Sequence, residues 1–337
     1  MRILPFLALL MVAVPASAQG TGPAPLTLQQ AWEVAPDASA AVLAARATLA
    51  SARRARARVA ADPQSLRVDR IGADNDLANA QRALDAALAA NEASVTAAYF
   101  GALEADTALA VSELDAAIGL QTLQAEQARQ QAGAATDLDV AKAQNAYRQA
   151  QASAADARTR RTLAYNTLAS LLGRNAPTLT PVTEAPPLGE LDAYRQRAAE
   201  ANAQLVAARN AEALTRAQLQ ATDNDFSSRS AIQQAQDALA DAERHVTEVT
   251  RTLELSVNAA YANAQAAGAA LANALAADAT AQQDLDAAKA RLDAGSISPL
   301  AYRSGELTRR QAAQSLETAR HAAILRRLEL DRTVLGG

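Results

Sequence analysis

His245 and His321 are the only histidines, and they fall on different helices, so no imidazole pair has a metal-ligand spacing. The chain has no cysteine, which removes thiolate nucleophiles, thiolate metal sites, disulfides and lipidation of an exported N-terminus. Asp and Glu are plentiful, but their spacings are those of solvated helix faces, and none joins a Ser or His in a catalytic order. The pattern points away from an enzyme, a metal centre and a cofactor. One basic concentration stands out, "ARRARARVA", with Arg53, Arg54, Arg56 and Arg58. It reads either as a contact for phosphate, lipid headgroups or acidic glycan, or as a solvated helix end whose dipole favours cations. A net charge of -4 and a pI of 5.4 favour the second reading and argue against nucleic acid as a partner. Tyr99 and Tyr261, 162 residues apart and both mid-helix, read as packing residues rather than the lining of a substrate path.

The most informative polar groups punctuate helices. In "QQAGAATDLDV", Gly133 supplies a left-handed C′ position. Thr136 then caps the returning helix, with Asp139 three residues on as a capping-box partner and Asp137 in the first turn. In "LDAGSISPLAY", Gly295 stops the helix, Ser298 caps the next, and Pro299 takes N1, where its missing N–H costs nothing. These two tips, Gly133, Thr136, Asp137 and Asp139 in one and Gly295, Ser298 and Pro299 in the other, are the candidate contacts with a partner protein.

The elements that hold the tips are long helices. Hydrophobic residues are 50% of the chain but aromatics only 3%, because alanine carries most of the apolar count. Abundant Ala, Leu, Gln, Arg and Glu favour helix, and the chain reads as all-α and elongated. It also reads as a duplication. "EASVTAAYF" (92–100) matches "ELSVNAAYA" (254–262) at an offset of 162, and "VLAAR" (42–46) matches "LVAAR" (205–209) at 163. Leu77, Leu84, Val95, Tyr99, Leu109 and Leu123 correspond to Leu239, Val246, Val257, Tyr261, Leu271 and Leu285, a narrow stripe at helical spacing suited to coiled-coil-like packing. Three helices are expected in each copy, over 28–61, 76–132 and 137–172, and over 191–222, 231–294 and 299–334. The middle helix would be roughly 85 Å long, with the third (~54 Å) and first (~50 Å) end to end beside it.

Residues 1–18 read as a secretory signal peptide, with Arg2, an apolar run and Ala16-Ser17-Ala18 before the expected cleavage. Residues 19–174 and 191–337 form the two copies, and the Pro-rich stretch 175–190 links them. No later stretch approaches the ~20 apolar residues of a spanning helix.

A long helix, a Gly tip and then "TDLDVAKAQNAYRQAQASAADARTRRTLAYNTLASLLG", with the counterpart "GSISPLAYRSGELTRRQAAQSLETARHAAILRRLELDRTVLGG", resembles the TolC family of outer-membrane efflux proteins. The resemblance covers residues 27–336 and implies two helical hairpins per chain in a trimeric α-barrel. It also implies a periplasmic adaptor and an inner-membrane pump as partners, and two membrane strands between the first and second helices of each copy. Here those slots are "AADPQSLRVDRIGADND" (60–76) and "ATDNDFSSRSA" (221–231). Neither holds two strands of about 9–11 residues each, and aromatic girdles are missing. The expectation is therefore a TolC-like helical scaffold without its own membrane-spanning barrel. It would be exported to the periplasm or cell envelope, as an efflux or export component or as a soluble structural scaffold. In that family acidic side chains beyond the second tip form a constriction; the equivalent positions, Ala301 and Ser304, are neutral, so no acidic ring is expected there.

Overall fold

The computed structural model describes residues 25–175, 178–185 and 187–336; the signal peptide expected over 1–18 lies outside them. Eight helices follow one another: α1 (Leu28–Ala38), α2 (Ala40–Ala61), α3 (Arg67–Gln131), α4 (Asp137–Leu172), α5 (Leu191–Ala201), α6 (Ala203–Thr222), α7 (Arg229–Asp293) and α8 (Pro299–Leu335). The second four repeat the first four in order and nearly in length. Among the described residues the sole β pairing is one parallel bridge between Leu26 and Leu179.

Two expectations need correction. The first helix of each copy is not continuous. It breaks at Ser39, whose extended backbone and side chain cap Val42, and at Asn202, whose side-chain oxygen accepts from the N–H groups of Gln204 and Leu205. Pro36 lacks an amide hydrogen and weakens the turn before Ser39. The two breaks are 163 residues apart, the offset at which "VLAAR" and "LVAAR" match. The middle helices also start earlier than expected, at Arg67 and Arg229, and each runs 65 residues, about 98 Å at helical rise.

The earlier starts shrink the two slots. Asp62–Leu66 joins α2 to α3 and Asp223–Ser228 joins α6 to α7, both as tight turns. Neither reaches the length of one spanning strand, about 9–11 residues. Among the described residues no helix is long and apolar enough to cross a membrane.

Side by side, α4 and α2 line one flank of α3, α8 and α6 line the other, and α7 lies beyond α8 and α6. The result is an open layer, with α3 interior and α7 at an edge. Alanine makes the close approach possible: Ala143, Ala150, Ala154 and Ala157 of α4 are buried at helical spacing. Larger side chains gather in two places. One cluster joins Leu26, Val95, Tyr99, Phe100, Leu168, Leu172, Leu179 and Ile324; the other joins Tyr194, Leu205, Leu253, Val257, Leu330 and Val334. The described part of the Pro-rich link bridges the two: Leu179 is buried in the first cluster with Val182 and Ala185 packed against it, and Leu188 packs against the second.

Candidate functional site at the hairpin tips

Helix α3 ends on residues with good helix propensity, so a specific device must stop it. Gly133, at φ 75°, supplies it. Its amide donates to Gln130 carbonyl (2.9 Å) and the Ala134 amide to Arg129 carbonyl (2.7 Å), the paired bonds of a Schellman stop. Helix α7 stops identically: Gly295, at φ 68°, donates to Leu292 carbonyl (2.9 Å) and Ser296 to Arg291 carbonyl (2.8 Å). At both glycines an added Cβ would meet open space, so the requirement is purely one of backbone conformation.

The restarts are equally local. Thr136 Oγ1 accepts from the Asp139 amide (3.2 Å) while Asp139 Oδ2 accepts from the Thr136 amide (2.9 Å), closing the capping box. Those hydrogen bonds, the backbone one foremost, hold the Asp139 carboxyl below its ordinary value. Asp137 accepts from Gln130 Nε2, which ties the return helix to the outgoing one. At the second tip Ser298 Oγ accepts from the Ala301 amide (3.1 Å) and Pro299 sits at the helix start.

Both tips lie at the same end of the rod. His321 Nδ1 meets Glu104 Oε1 at 2.9 Å and Thr107 Oγ1 donates to Glu317 Oε2 at 2.7 Å. As α3 advances α8 recedes, so the end of α3 stands beside the start of α8. There Ser298 and Pro299 open onto a groove of about 540 Å³, whose other walls are Gln121 and Ala125 of α3 and Tyr302, Arg303 and Glu306 of α8. Ala301 and Ser304 are exposed, and Ser304 spends its hydroxyl on Leu300 carbonyl. The ionisable pair in the groove wall is one Arg and one Glu, not an acidic set.

Away from the tips, Arg56, His321 and Tyr99 have structural partners. Arg53, Arg54, Arg56 and Arg58 are exposed at the far end, and Arg56 pairs with Asp74 at 2.8 Å. His321 is buried and stacks flat on Phe100, with ring centroids 4.1 Å apart, whereas His245 is exposed. Among the described residues no group of three or more His, Cys, Asp and Glu could hold a metal.

Tyr99 does more than pack. Its hydroxyl reaches Leu26 carbonyl (2.7 Å) and Thr180 carbonyl (2.6 Å) and accepts from the Thr180 amide (2.9 Å), pinning the link and the N-terminal segment to α3. Burial pushes its ionisation up. Trp32 Nε1 adds a 2.8 Å bond to buried Thr96. The period-matching that located Tyr99 carries no information about these long-range carbonyls.

No protein-family description matches the chain, and no curated protein matches its sequence. Solved structures do match. A membrane protein from Pseudomonas aeruginosa superposes with a TM-score of 0.64 over 96% of this chain and 98% of its own, at 16% identity. The Campylobacter jejuni CmeC outer membrane channel gives 0.65 over 99% and 94%, at 10% identity. The Neisseria gonorrhoeae MtrE outer membrane channel, in its open state, gives 0.62 over 92% and 89%, at 15% identity. The fold is that of the TolC-family outer-membrane channels. Within this TolC-type fold the tips are the ends of the two long hairpins, and the turns Asp62–Leu66 and Asp223–Ser228 close the opposite end.

Proposed function

We propose that this chain is the α-helical component of an efflux or export assembly in the cell envelope, without a membrane-spanning barrel of its own. In this reading several copies, three in the simplest case, close the open layer into a ring. The hairpin tips then engage a periplasmic adaptor that links the ring to an inner-membrane pump. The observation that carries the proposal is the shared fold along nine-tenths or more of the chain with outer-membrane channels. Two features of the layer support it. Its edges, α7 and the α4 side, do not pack on each other and display Leu255 and Leu275, and Leu138 and Leu163, as exposed large side chains. The tip groove offers a partner both apolar and charged walls close to Ser298 and Pro299.

Light scattering and particle imaging of the purified chain test the ring: a trimer with a lumen is expected. A compact monomer would overturn the conduit and leave the scaffold reading, in which the same rod spaces other envelope proteins. Photo-crosslinkers placed at Asp137 and at Ser296 should capture an adaptor in intact cells; capture at neither position would remove the tip contact.

A further inference from the structure

The end of the rod opposite the tips is the more unusual surface. Asn75 Nδ2 of α3 donates to Asn210 carbonyl of α6, and Arg82 of α3 donates to Ala201 carbonyl. The two helices are therefore antiparallel, and the α2–α3 and α6–α7 turns emerge at one end. Each turn presents a large apolar side chain to solvent: Leu66 is 67% exposed and Phe226 100%. The contrast with Phe100, 1% exposed, is sharp. The Phe226 amide is held by Asn224 Oδ1 at 2.9 Å and the Ser227 amide by Asn224 carbonyl at 3.1 Å, so the turn is braced while its ring has no packing partner.

Basic side chains concentrate on the α2 side of this end. The total is -4, yet the last turns of α2 carry four exposed arginines. Arg56 is neutralised by Asp74, but among the described residues Arg53, Arg54 and Arg58 have no carboxylate partner. Helix-end electrostatics accounts for Arg58 in the last turn; its effect falls off within one turn and does not extend to Arg53 and Arg54. Asp62 and Asp69 flank Leu66, Asp223 and Asp225 flank Phe226, and all four oppose an anionic surface, so the attraction must come from the arginines of α2.

We propose that this end rests on an anionic lipid surface, with Leu66 and Phe226 entering the headgroup boundary and Arg53, Arg54 and Arg58 meeting lipid phosphates. Apolar side chains beside cations are the chemistry of interfacial membrane contact rather than of a span, and each arginine near an anionic surface adds attraction that salt screens. The contact needs no ring, although several copies side by side would strengthen it through avidity.

Co-sedimentation of the purified chain with phosphatidylethanolamine–phosphatidylglycerol vesicles, and with phosphatidylcholine vesicles, tests it. Binding to the anionic vesicles is expected, weakening with salt. The pair Leu66→Ser with Phe226→Ser, and separately the set Arg53→Gln, Arg54→Gln and Arg58→Gln, should each weaken it roughly tenfold. All five side chains are exposed, so circular dichroism and melting should be unchanged, which separates lost binding from lost fold. No sedimentation with either vesicle, or native-like binding by both variants, would overturn the proposal. Equal binding to neutral vesicles would overturn the role of the arginines. Light scattering on the same samples reads the ring independently, so a monomer that binds vesicles sinks the conduit and not this contact.

Discussion

Helices α3 and α7 have the same length, the same glycine stop and a matching apolar stripe, yet they occupy different physical environments. Ten α3 residues are buried, including Val95, Thr96, Tyr99 and Phe100; only Leu253, Val257, Ala260 and Ala264 are buried in α7. The difference lies in neighbours, since α3 has helices on both flanks and α7 on one. Side chains have diverged to suit. Trp32 and Thr96, which share a hydrogen bond, are matched by Tyr194 and Asn258; there Arg195 Nε makes the bond to Asn258 at 3.0 Å, and Tyr194 turns its ring toward Tyr261, 5.9 Å away. Where α3 carries Phe100 against His321, α7 carries Ala262. A duplicated helix thus keeps its period and length while its packing follows its place in the layer.

The tyrosine pair offers the most direct way to break that contrast. Tyr99→Ala removes a fully buried ring and the clamp on Leu26 and Thr180. It should cost about 3–5 kcal/mol, the range for large-to-small aromatic substitutions in cores. Tyr261→Ala, at a half-buried edge position, should cost less than half as much. Tyr99→Phe isolates the clamp: its hydroxyl has one proton for the Leu26 and Thr180 carbonyls, and the Leu26 carbonyl keeps the Thr180 amide at 3.0 Å, so the loss should be about 1 kcal/mol. Tyr261→Phe should be near neutral. Denaturant melts of the four variants decide it, and equal losses at both positions would show that α7 is as buried as α3, as it would be once a ring closes over it.

Much of this was legible in the residues. Helix content followed from the alanine-rich composition, and both tip devices from Gly133, Thr136, Gly295, Ser298 and Pro299, because a cap is decided by residues within a few positions of it. The breaks at Ser39 and Asn202 had the right signal, cap-forming residues with Pro36 close by in the first case. Alanine-rich periodicity on both sides hid them, since the stripe passes through the break almost in phase. What could not be read was anything set by distant chain. The Tyr99 clamp joins groups 73 and 81 residues apart, and the His321–Glu104 contact spans 217. The emphasis on α3 over α7 was equally hidden, because it depends on which helix the layer places inside.

The tips are where the two halves should behave alike, and they sharpen the comparison by its absence. Gly133→Ala and Gly295→Ala force a Cβ into a left-handed position with open space around it, so each should cost about 1–2 kcal/mol through backbone strain alone. Thr136→Ala and Ser298→Ala each delete one cap acceptor, about 1 kcal/mol. Hydrogen exchange of the tip amides should rise by similar factors in the matched variants. A glycine effect at one tip only would mean that the other is held by packing as well as by its cap.

The smallest effects concern charge, and they set core against tip with opposite signs. Burial, then the nearby Asp331 carboxylate, pushes Glu92 of α3 up from its ordinary 4.5. An acid raised by folding keeps its proton in the folded chain at pH values where the unfolded chain has lost it, so stability falls as pH rises through that window. Glu92→Gln removes the penalty: the variant should melt higher than native at about pH 7, and the gain should vanish below the unfolded value, where Glu92 is neutral in both states. Asp139 at the first tip is lowered instead, by its bonds to Thr136. Its contribution is present above its ordinary 3.8 and is lost as pH falls through the lower folded value. Asp139→Asn should therefore destabilise at neutral pH, with a gap that closes on acidification. The two variants thus move in opposite directions at pH 7 and converge on native in acid. Should Glu92→Gln prove less stable than native at neutral pH, the Glu92 carboxylate must be receiving a favourable contact, and the interior of the layer would be more hydrated than the packing of α3 against α8 implies.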